Sequence, residues 1–301
     1  MTGIWTVLVV ARWLNFVAVA GLFGMSLFPL YAPANTRRAY LAQPTTRALA
    51  VVGGMLALVS TAGLAGATLA NMAGDGTAIW DVEAWWSFLV DTSFGIVWIM
   101  RGVIVLVLAM TTVTTKGFGA SIIVAALSGA LLISQAWVGH VASIAAPARW
   151  GVTVAYAFHV VGAGAWFGGL VSLTVVLNGL LASKTIDRHE AEDVLRRFSS
   201  VGLAAVVAII VGGAINTIAH GASAPAIVVA SDWGRALVLK LALVAGMLLL
   251  ACHNRFVLMP RLSKGEAPAL PALARSVVTE QVLGLVVLAV TAALGMLGPP
   301  G

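Results

Sequence analysis

Histidines and intramembrane cations are the residues of this chain whose types and spacing could support chemistry. His159 lies roughly 13 Å inside a long apolar stretch, at about 1.5 Å per helical residue. His140 and His220 lie within a turn of the ends of two other apolar stretches. Neutral imidazole binds copper, zinc, iron or nickel, so the three predict a metal path with ligands at two depths. The alternative, for a histidine near an interface, is a helix cap or a carbonyl hydrogen bond.

Two cations lie at a depth similar to that of His159. Arg101 and Lys240 each stand six residues after the glycine of an aromatic-glycine pair, in TSFGIVWIMR and DWGRALVLK. A charged side chain inside a membrane needs a partner. We expect Asp91 and Asp232 to be the partners, unless the Lys240 side chain snorkels to the membrane surface. The functional alternative is an anionic ligand, or control of a cation path.

Methionine thioethers are soft ligands for Cu(I). Most of the nine methionines fit better as core filler. Met72, at the end of the second apolar stretch, is the one that we predict as a candidate ligand.

Composition identifies the class of protein. Of the 301 residues, 60% are hydrophobic and 9% are charged, against roughly 25% charged in soluble domains. Segments of about 20 apolar residues span a bilayer as helices. The chain is therefore predicted to be an all-α integral membrane protein whose partner is the lipid bilayer, with a first span that is retained. The eight predicted spans are 4–30, 46–72, 92–114, 118–141, 150–182, 199–221, 233–258 and 273–297.

Several other functions are disfavoured by what the sequence contains. The net charge of +6 does not suggest a nucleic-acid partner. The single cysteine, Cys252, excludes an internal disulfide and any CxxC motif. Because we find neither a Walker loop nor a Ser/His/Asp or paired-carboxylate arrangement, we expect neither an ATP-driven pump nor an enzyme.

Loop charges predict the orientation of the spans. Lys and Arg concentrate in the loops after spans 1, 3, 5 and 7, while those after spans 2, 4 and 6 hold only Arg149. The positive-inside rule then places both termini in the periplasm. The acidic loop 73–91 is outside as well, and 184–199 is predicted to be a short helix in the largest cytoplasmic loop.

The two halves of the chain share a pattern. Asn15 stands where His159 stands, and Phe23-Gly24 stands where Phe167-Gly168 stands. The motifs around Arg101 and Lys240 match in the same register. We therefore predict two parallel four-helix repeats, 1–145 and 146–301, with a site near their interface.

The chain resembles the bacterial CopD copper-resistance proteins of the inner membrane. The resemblance rests on QAWVGH (135–140), HVVGAGAWFGGL (159–170), SDWGRALVLKLALV (231–244), HNRFVLMPRL (253–262) and LGPP (297–300). It implies eight spans, both ends in the periplasm and copper as the cargo. It also implies a possible separate periplasmic copper chaperone of the CopC type. His140 and His159 match motif histidines of the family, whereas His220 rests on topology alone. The family often has a histidine where this chain has Asn15.

The resulting hypothesis is a copper importer that works without ATP and contributes to copper homeostasis and resistance. His140 and His220 would collect copper at the outer face, and His159 would relay it inward. One alternative is a b-type cytochrome or a quinone-linked redox protein, with histidines ligating haem and Arg101 and Lys240 holding its propionates. Another is a scaffold or sensor that binds copper without moving it.

Overall fold

Eight helices of the protein are long and apolar enough to cross a membrane, within the residues that the computed structural model describes: 2–138, 148–182, 188–219 and 230–298. The predicted all-α membrane fold with eight spans is thus confirmed, and the described residues contain no strand. The helices are α1 (Thr2–Tyr31), α2 (Ala34–Ala42), α3 (Pro44–Ala73), α4 (Val82–Trp86), α5 (Gly95–Thr114), α6 (Gly117–Ser134), α7 (Ala148–Ala182), α8 (Arg188–Ala219), α9 (Asp232–His253), α10 (Met259–Ser263) and α11 (Ala269–Leu294).

Glycine and proline set several of the helix boundaries. Pro44 occupies the first turn of α3, where its missing N–H costs nothing. Gly74, with φ of 70°, ends the same helix in the left-handed conformation that glycine adopts most easily. A π-helical turn, Asn254–Leu258, joins α9 to α10, so that the seventh span runs from Asp232 to Ser263.

The sixth span begins earlier than the sequence predicted. We expected a separate short helix over 184–199, but its described part, from residue 188, is the first portion of α8. The acidic and basic residues there alternate with Ala191, Val194 and Leu195, which are buried. This apolar stripe packs into the bundle, and Glu190 accepts a hydrogen bond of 2.6 Å from Thr36 Oγ1 of α2. The helix therefore continues past the predicted boundary.

Helices α1 and α7 form the centre of the bundle. Helix α7 has 35 residues, so at 1.5 Å per residue it is about 52 Å long and exceeds the hydrocarbon core. The two helices meet backbone to backbone at Gly24 and Gly168. A Cβ atom built on Gly24 would lie 2.6 Å from the Cα of Gly168, and one built on Gly168 would lie 2.7 Å from the Cα of Gly24. Small residues allow this approach in membrane helices.

The contacts of the two halves resemble each other. Helix α1 packs against α3 and α6, and α7 packs against α8 and α11. In the same way α1 contacts α11 and α7 contacts α6, while α5 packs on α6 as α9 packs on α11. The correspondence is incomplete, because α3 packs on α5 whereas α8 and α9 share little direct contact. The two-repeat organisation and its boundary at 145/146 remain predictions.

Candidate functional site

His159 lies on α7, eleven residues after the helix begins at Ala148, or about 17 Å along the helix axis. Its Nδ1 lies 2.8 Å from the carbonyl oxygen of Ile209 on α8. Because a carbonyl can only accept, Nδ1 carries the proton and donates it. The lone pair of a neutral ring is then on Nε2, which is the arrangement that orients a metal-binding imidazole.

Two glycines make room for the imidazole ring. A Cβ atom built on Gly213 would lie 3.1 Å from both Cε1 and Nδ1 of His159, and one on Gly212 would lie 3.0 Å from its Cβ. The Gly212-Gly213 pair of α8 therefore forms the floor on which the ring lies. A larger side chain at either position would push the ring away from the Ile209 carbonyl.

Lys240 of α9 is close enough for its charge to act on His159 electrostatically. The predicted carboxylate partner is absent here, since Asp232 pairs with Arg235 at an exposed position. Among the described residues, Lys240 makes no salt bridge. The expectation that Asp232 neutralises Lys240 is therefore wrong. An ammonium beside an imidazole weakens any cation bound there, by ordinary Coulomb repulsion.

Arg101 of α5 is fully buried and is surrounded by neutral acceptors. Its guanidinium donates to the carbonyl oxygen of Leu131 at 3.2 Å, to Ser134 Oγ at 2.5 Å and to Asn15 Oδ1 at 3.4 Å. It also lies 5.5 Å from the ring centroid of Trp98. The described residues give it no carboxylate within salt-bridge distance, so the expected pairing with Asp91 is wrong too.

Asn15 is the hub of the polar cluster around Arg101. Its side chain is fully buried in α1. Its Nδ2 donates to Thr61 Oγ1 at 2.8 Å and to Ser60 Oγ at 3.2 Å, and its Oδ1 accepts from Gln135 Nε2 at 3.2 Å. Every polar atom of the amide is thus used, and none is left to ligate a metal. Asn15 thus hydrogen-bonds to Arg101, and this cluster contains no metal-binding imidazole.

The remaining sequence candidates do not gather around His159 in the described residues. His140 and His220 lie outside them, so the predicted outer sites stay predictions. Met72 is exposed at the end of α3. No group of three or more His, Cys, Asp or Glu side chains that could hold a metal occurs in the part of the chain that the structure describes. A path with successive single ligands remains compatible with these positions.

The haem alternative needs two histidines at similar depth. Three histidines are described, and of these His189 and His253 are exposed, whereas His159 is partly buried between α7 and α8. A second axial ligand would therefore have to come from outside the described residues. The guanidinium of Arg101 donates its hydrogen bonds to neutral acceptors, so it is not positioned to bind a haem propionate either.

A buried carboxylate in the eighth span was missed by the sequence analysis. Glu280 of α11 is only 2% exposed. Its Oε1 accepts a hydrogen bond of 2.7 Å from Trp166 Nε1 of α7, and its Oε2 accepts one of 3.3 Å from Asn254 Nδ2. The rule that selected Arg101 and Lys240, an ionisable residue well inside a span, applies to Glu280 as well and would have found it.

Comparison with known proteins identifies the family. The profile "Copper resistance protein D-like, N-terminal domain" matches residues 1–150, and the profile "Copper resistance protein D" matches residues 192–294. The chain belongs to the copper resistance protein D family. Members of the family similar to this chain include the copper resistance protein D of Pseudomonas syringae pv. tomato, with 29% identity covering 97% of this chain and 96% of the relative.

A second similar protein is the inner membrane protein YebZ of Escherichia coli K12, with 29% identity covering 96% of this chain and 97% of the relative. No solved structure gives a significant match. In this chain, Asn15 and Arg101 lie in the region that matches the first profile, and Lys240 and Glu280 lie in the region that matches the second. His159 lies between the two.

Proposed function

We propose that this protein carries copper across the bacterial inner membrane from the periplasm toward the cytoplasm, without ATP, and thereby contributes to copper resistance. The name of the Pseudomonas relative supports copper as the cargo, and the name of the Escherichia coli relative supports the inner membrane. The observation that carries the transport step is the orientation of His159. Its Nδ1–H is held by the Ile209 carbonyl, so that Nε2 is free to bind a metal inside the span.

The path of the copper ion would run through the second half of the chain. In the first half the matching position is Asn15, whose polar atoms are all engaged, beside an arginine that repels cations. In the second half the matching position is His159, whose Nδ1 is held by the Ile209 carbonyl of α8 and whose Nε2 takes no part in that hydrogen bond. His140 and His220 would collect copper at the outer face, with a separate CopC-type chaperone as a possible donor.

Lys240 fits transport better than storage. A transported ion must bind strongly enough to enter and weakly enough to leave. The positive charge of Lys240, which acts on His159, lowers the affinity of the imidazole for a copper ion and shortens the time for which the ion stays bound. A tight storage or sensor site would benefit from a carboxylate at this position instead.

The test is copper uptake into proteoliposomes with equal pH on both sides. His159→Ala should abolish uptake while the protein stays folded, because no other described side chain provides an imidazole at that depth. His189→Ala, which removes an exposed histidine of α8, is the matched control and should leave uptake unchanged. Uptake by His159→Ala at the wild-type rate would refute the role of this residue. Binding of copper by the purified protein without flux would favour the scaffold or sensor instead.

A further inference from the structure

Glu280 is a carboxylate deep inside the membrane bundle. It lies eleven residues after Ala269, so it is about 17 Å along α11 from the inner end of that helix. It is buried from solvent and lipid alike. Both of its oxygens accept hydrogen bonds, from the indole of Trp166 and from the amide of Asn254. These neutral donors do not cancel a negative charge.

No cation compensates Glu280 among the described residues. The two salt bridges found there, Arg235–Asp232 and Arg261–Glu266, are both exposed. On α11 itself Arg275 is exposed, and on the neighbouring α1 Arg12 lies against Gly295, at the far end of α11.

The charged and titratable groups on the other helices that pack against α11 do not lie beside Glu280 either. On α7, His159 is seven residues from Trp166, and on α9, Lys240 is seven residues from the buried Met247, about 10 Å outward in each case. At the inner side the exposed groups are Cys252, His253, Arg255, which donates to Ser199 Oγ, and Arg261 of α10.

The amide of Asn254 offers a partner for a second state of the carboxyl group. Asn254 Nδ2 faces Glu280 Oε2, and Asn254 Oδ1 is buried without a hydrogen-bond partner. An ionised carboxylate needs the N–H of the amide, whereas a protonated one needs an acceptor for its O–H. Rotation of the amide by half a turn supplies that acceptor, while Trp166 donates to Oε1 in both states. Asn254 opens the π-helical turn, a rare geometry that is frequent at functional sites.

We propose that Glu280 is the binding site of the ion coupled to transport, that this ion is a proton, and that it is exchanged for copper. The proposal rests on the proposed copper transport. A proton binds covalently at Oε2, and the resulting O–H group donates a hydrogen bond to Oδ1 of Asn254. Copper that passes inward from His159 compensates the same negative charge, so the O–H bond breaks and the proton leaves toward the outside. The two cations compete for one carboxylate and therefore move in opposite directions.

A hard monovalent cation such as sodium fits the site less well. Such an ion replaces its hydration shell with several oxygen ligands. The carboxylate here is flanked by an indole N–H, and Gly284, one turn farther along α11, is packed by Phe167 and Met247. A proton needs a single acceptor, and the Asn254 oxygen provides it.

The experiment measures the pH of the external medium during copper uptake into proteoliposomes that start with equal pH on both sides. Wild-type protein should make the external medium more acidic as copper enters. Glu280→Gln, which keeps the side-chain shape, should abolish this proton counterflow. Glu266→Gln removes an exposed carboxylate and should not. Counterflow that persists in Glu280→Gln would overturn the proposal, and so would an exchange at constant pH that stops when sodium is replaced by choline.

An infrared measurement separates this proposal from the transport function. The C=O stretch of a protonated carboxyl group should appear on acidification of the purified protein and be missing from Glu280→Gln. Trp166→Phe removes a hydrogen bond that stabilises the ionised carboxylate more than the protonated carboxyl group, so the same band should appear about one pH unit higher or more. If wild-type protein moves no copper, the proposed function fails, while the infrared result still decides whether Glu280 binds a proton. A band that is unchanged in Glu280→Gln overturns the assignment.

Discussion

Replacing Asn15 by leucine should destabilise the bundle much more than replacing it by aspartate. The Oδ1 atom of Asn15 lies 3.4 Å from a nitrogen of the Arg101 guanidinium, whose acceptors within the described part of the chain are all neutral. Asn15→Asp places a negative charge at that position with almost the same shape. Asn15→Leu fills the same volume but removes the acceptor. The pair of variants therefore measures how strongly Arg101 needs negative charge.

The expected magnitudes follow from the distances. Two unit charges 3.4 Å apart attract by about 5 kcal/mol at an effective dielectric constant of 20. Burying the new carboxylate costs several kcal/mol, so the net effect of aspartate is expected within about 1 kcal/mol of zero. The hydroxyls of Ser60 and Thr61 can rotate to donate to the carboxylate. Leucine leaves Arg101 and Gln135 without this acceptor, which costs about 4 kcal/mol.

The assay is reversible unfolding in mixed micelles, followed by tryptophan fluorescence. The expected difference between the two variants is at least about 3 kcal/mol, which corresponds to more than a hundredfold in the unfolding equilibrium. In an Arg101→Leu background the order should reverse, because the aspartate is then an unpaired buried charge. If Asn15→Asp destabilises the wild-type background as much as Asn15→Leu does, a negative charge from outside the described residues already compensates Arg101, and the reasoning fails.

Two further predictions concern packing and orientation. Gly168→Ala should destabilise the bundle by about 1–3 kcal/mol in the same unfolding assay, because the added methyl group meets backbone atoms of α1. The control is Gly102→Ala, which should be neutral because nothing lies within 4 Å of the added methyl group. Equal behaviour of the two variants would contradict the close crossing. Reporter fusions within 184–197 should be cytoplasmic and fusions within 75–90 periplasmic, and the reverse pattern would invert the proposed direction of copper movement.

Hydrophobic length predicted the spans because a bilayer imposes a minimum run of apolar residues on every crossing helix. The same criterion does not detect the part of a helix that continues beyond the bilayer into water. It placed the start of the sixth span at residue 199, since the charged residues from 188 onward lower the local hydropathy. Only the buried stripe of Ala191, Val194 and Leu195 shows that the helix continues.

The candidate site was less predictable than the fold, because a buried charge can be satisfied in several ways. The sequence indicated that Arg101 and Lys240 need partners, and the nearest carboxylates in sequence were chosen. The structure instead surrounds Arg101 with amide, hydroxyl and carbonyl oxygens from α1 and α6. Such groups are present in every span, so a sequence alone does not reveal which of them meet. Glu280, by contrast, was visible in the sequence and could have been selected by its depth.

The contact between Gly24 and Gly168 limits how the centre of the bundle can move. Two backbones that touch without intervening side chains can neither slide past a side chain nor approach further, but they can rotate about the point of contact. Gly168 lies about 30 Å from the first residue of α7, Ala148, and about 21 Å from its last residue, Ala182. A rotation of about 10° there would displace these ends by about 5 Å and about 4 Å. The glycine crossing would thus act as a fulcrum, with the longer lever arm on the side of His159.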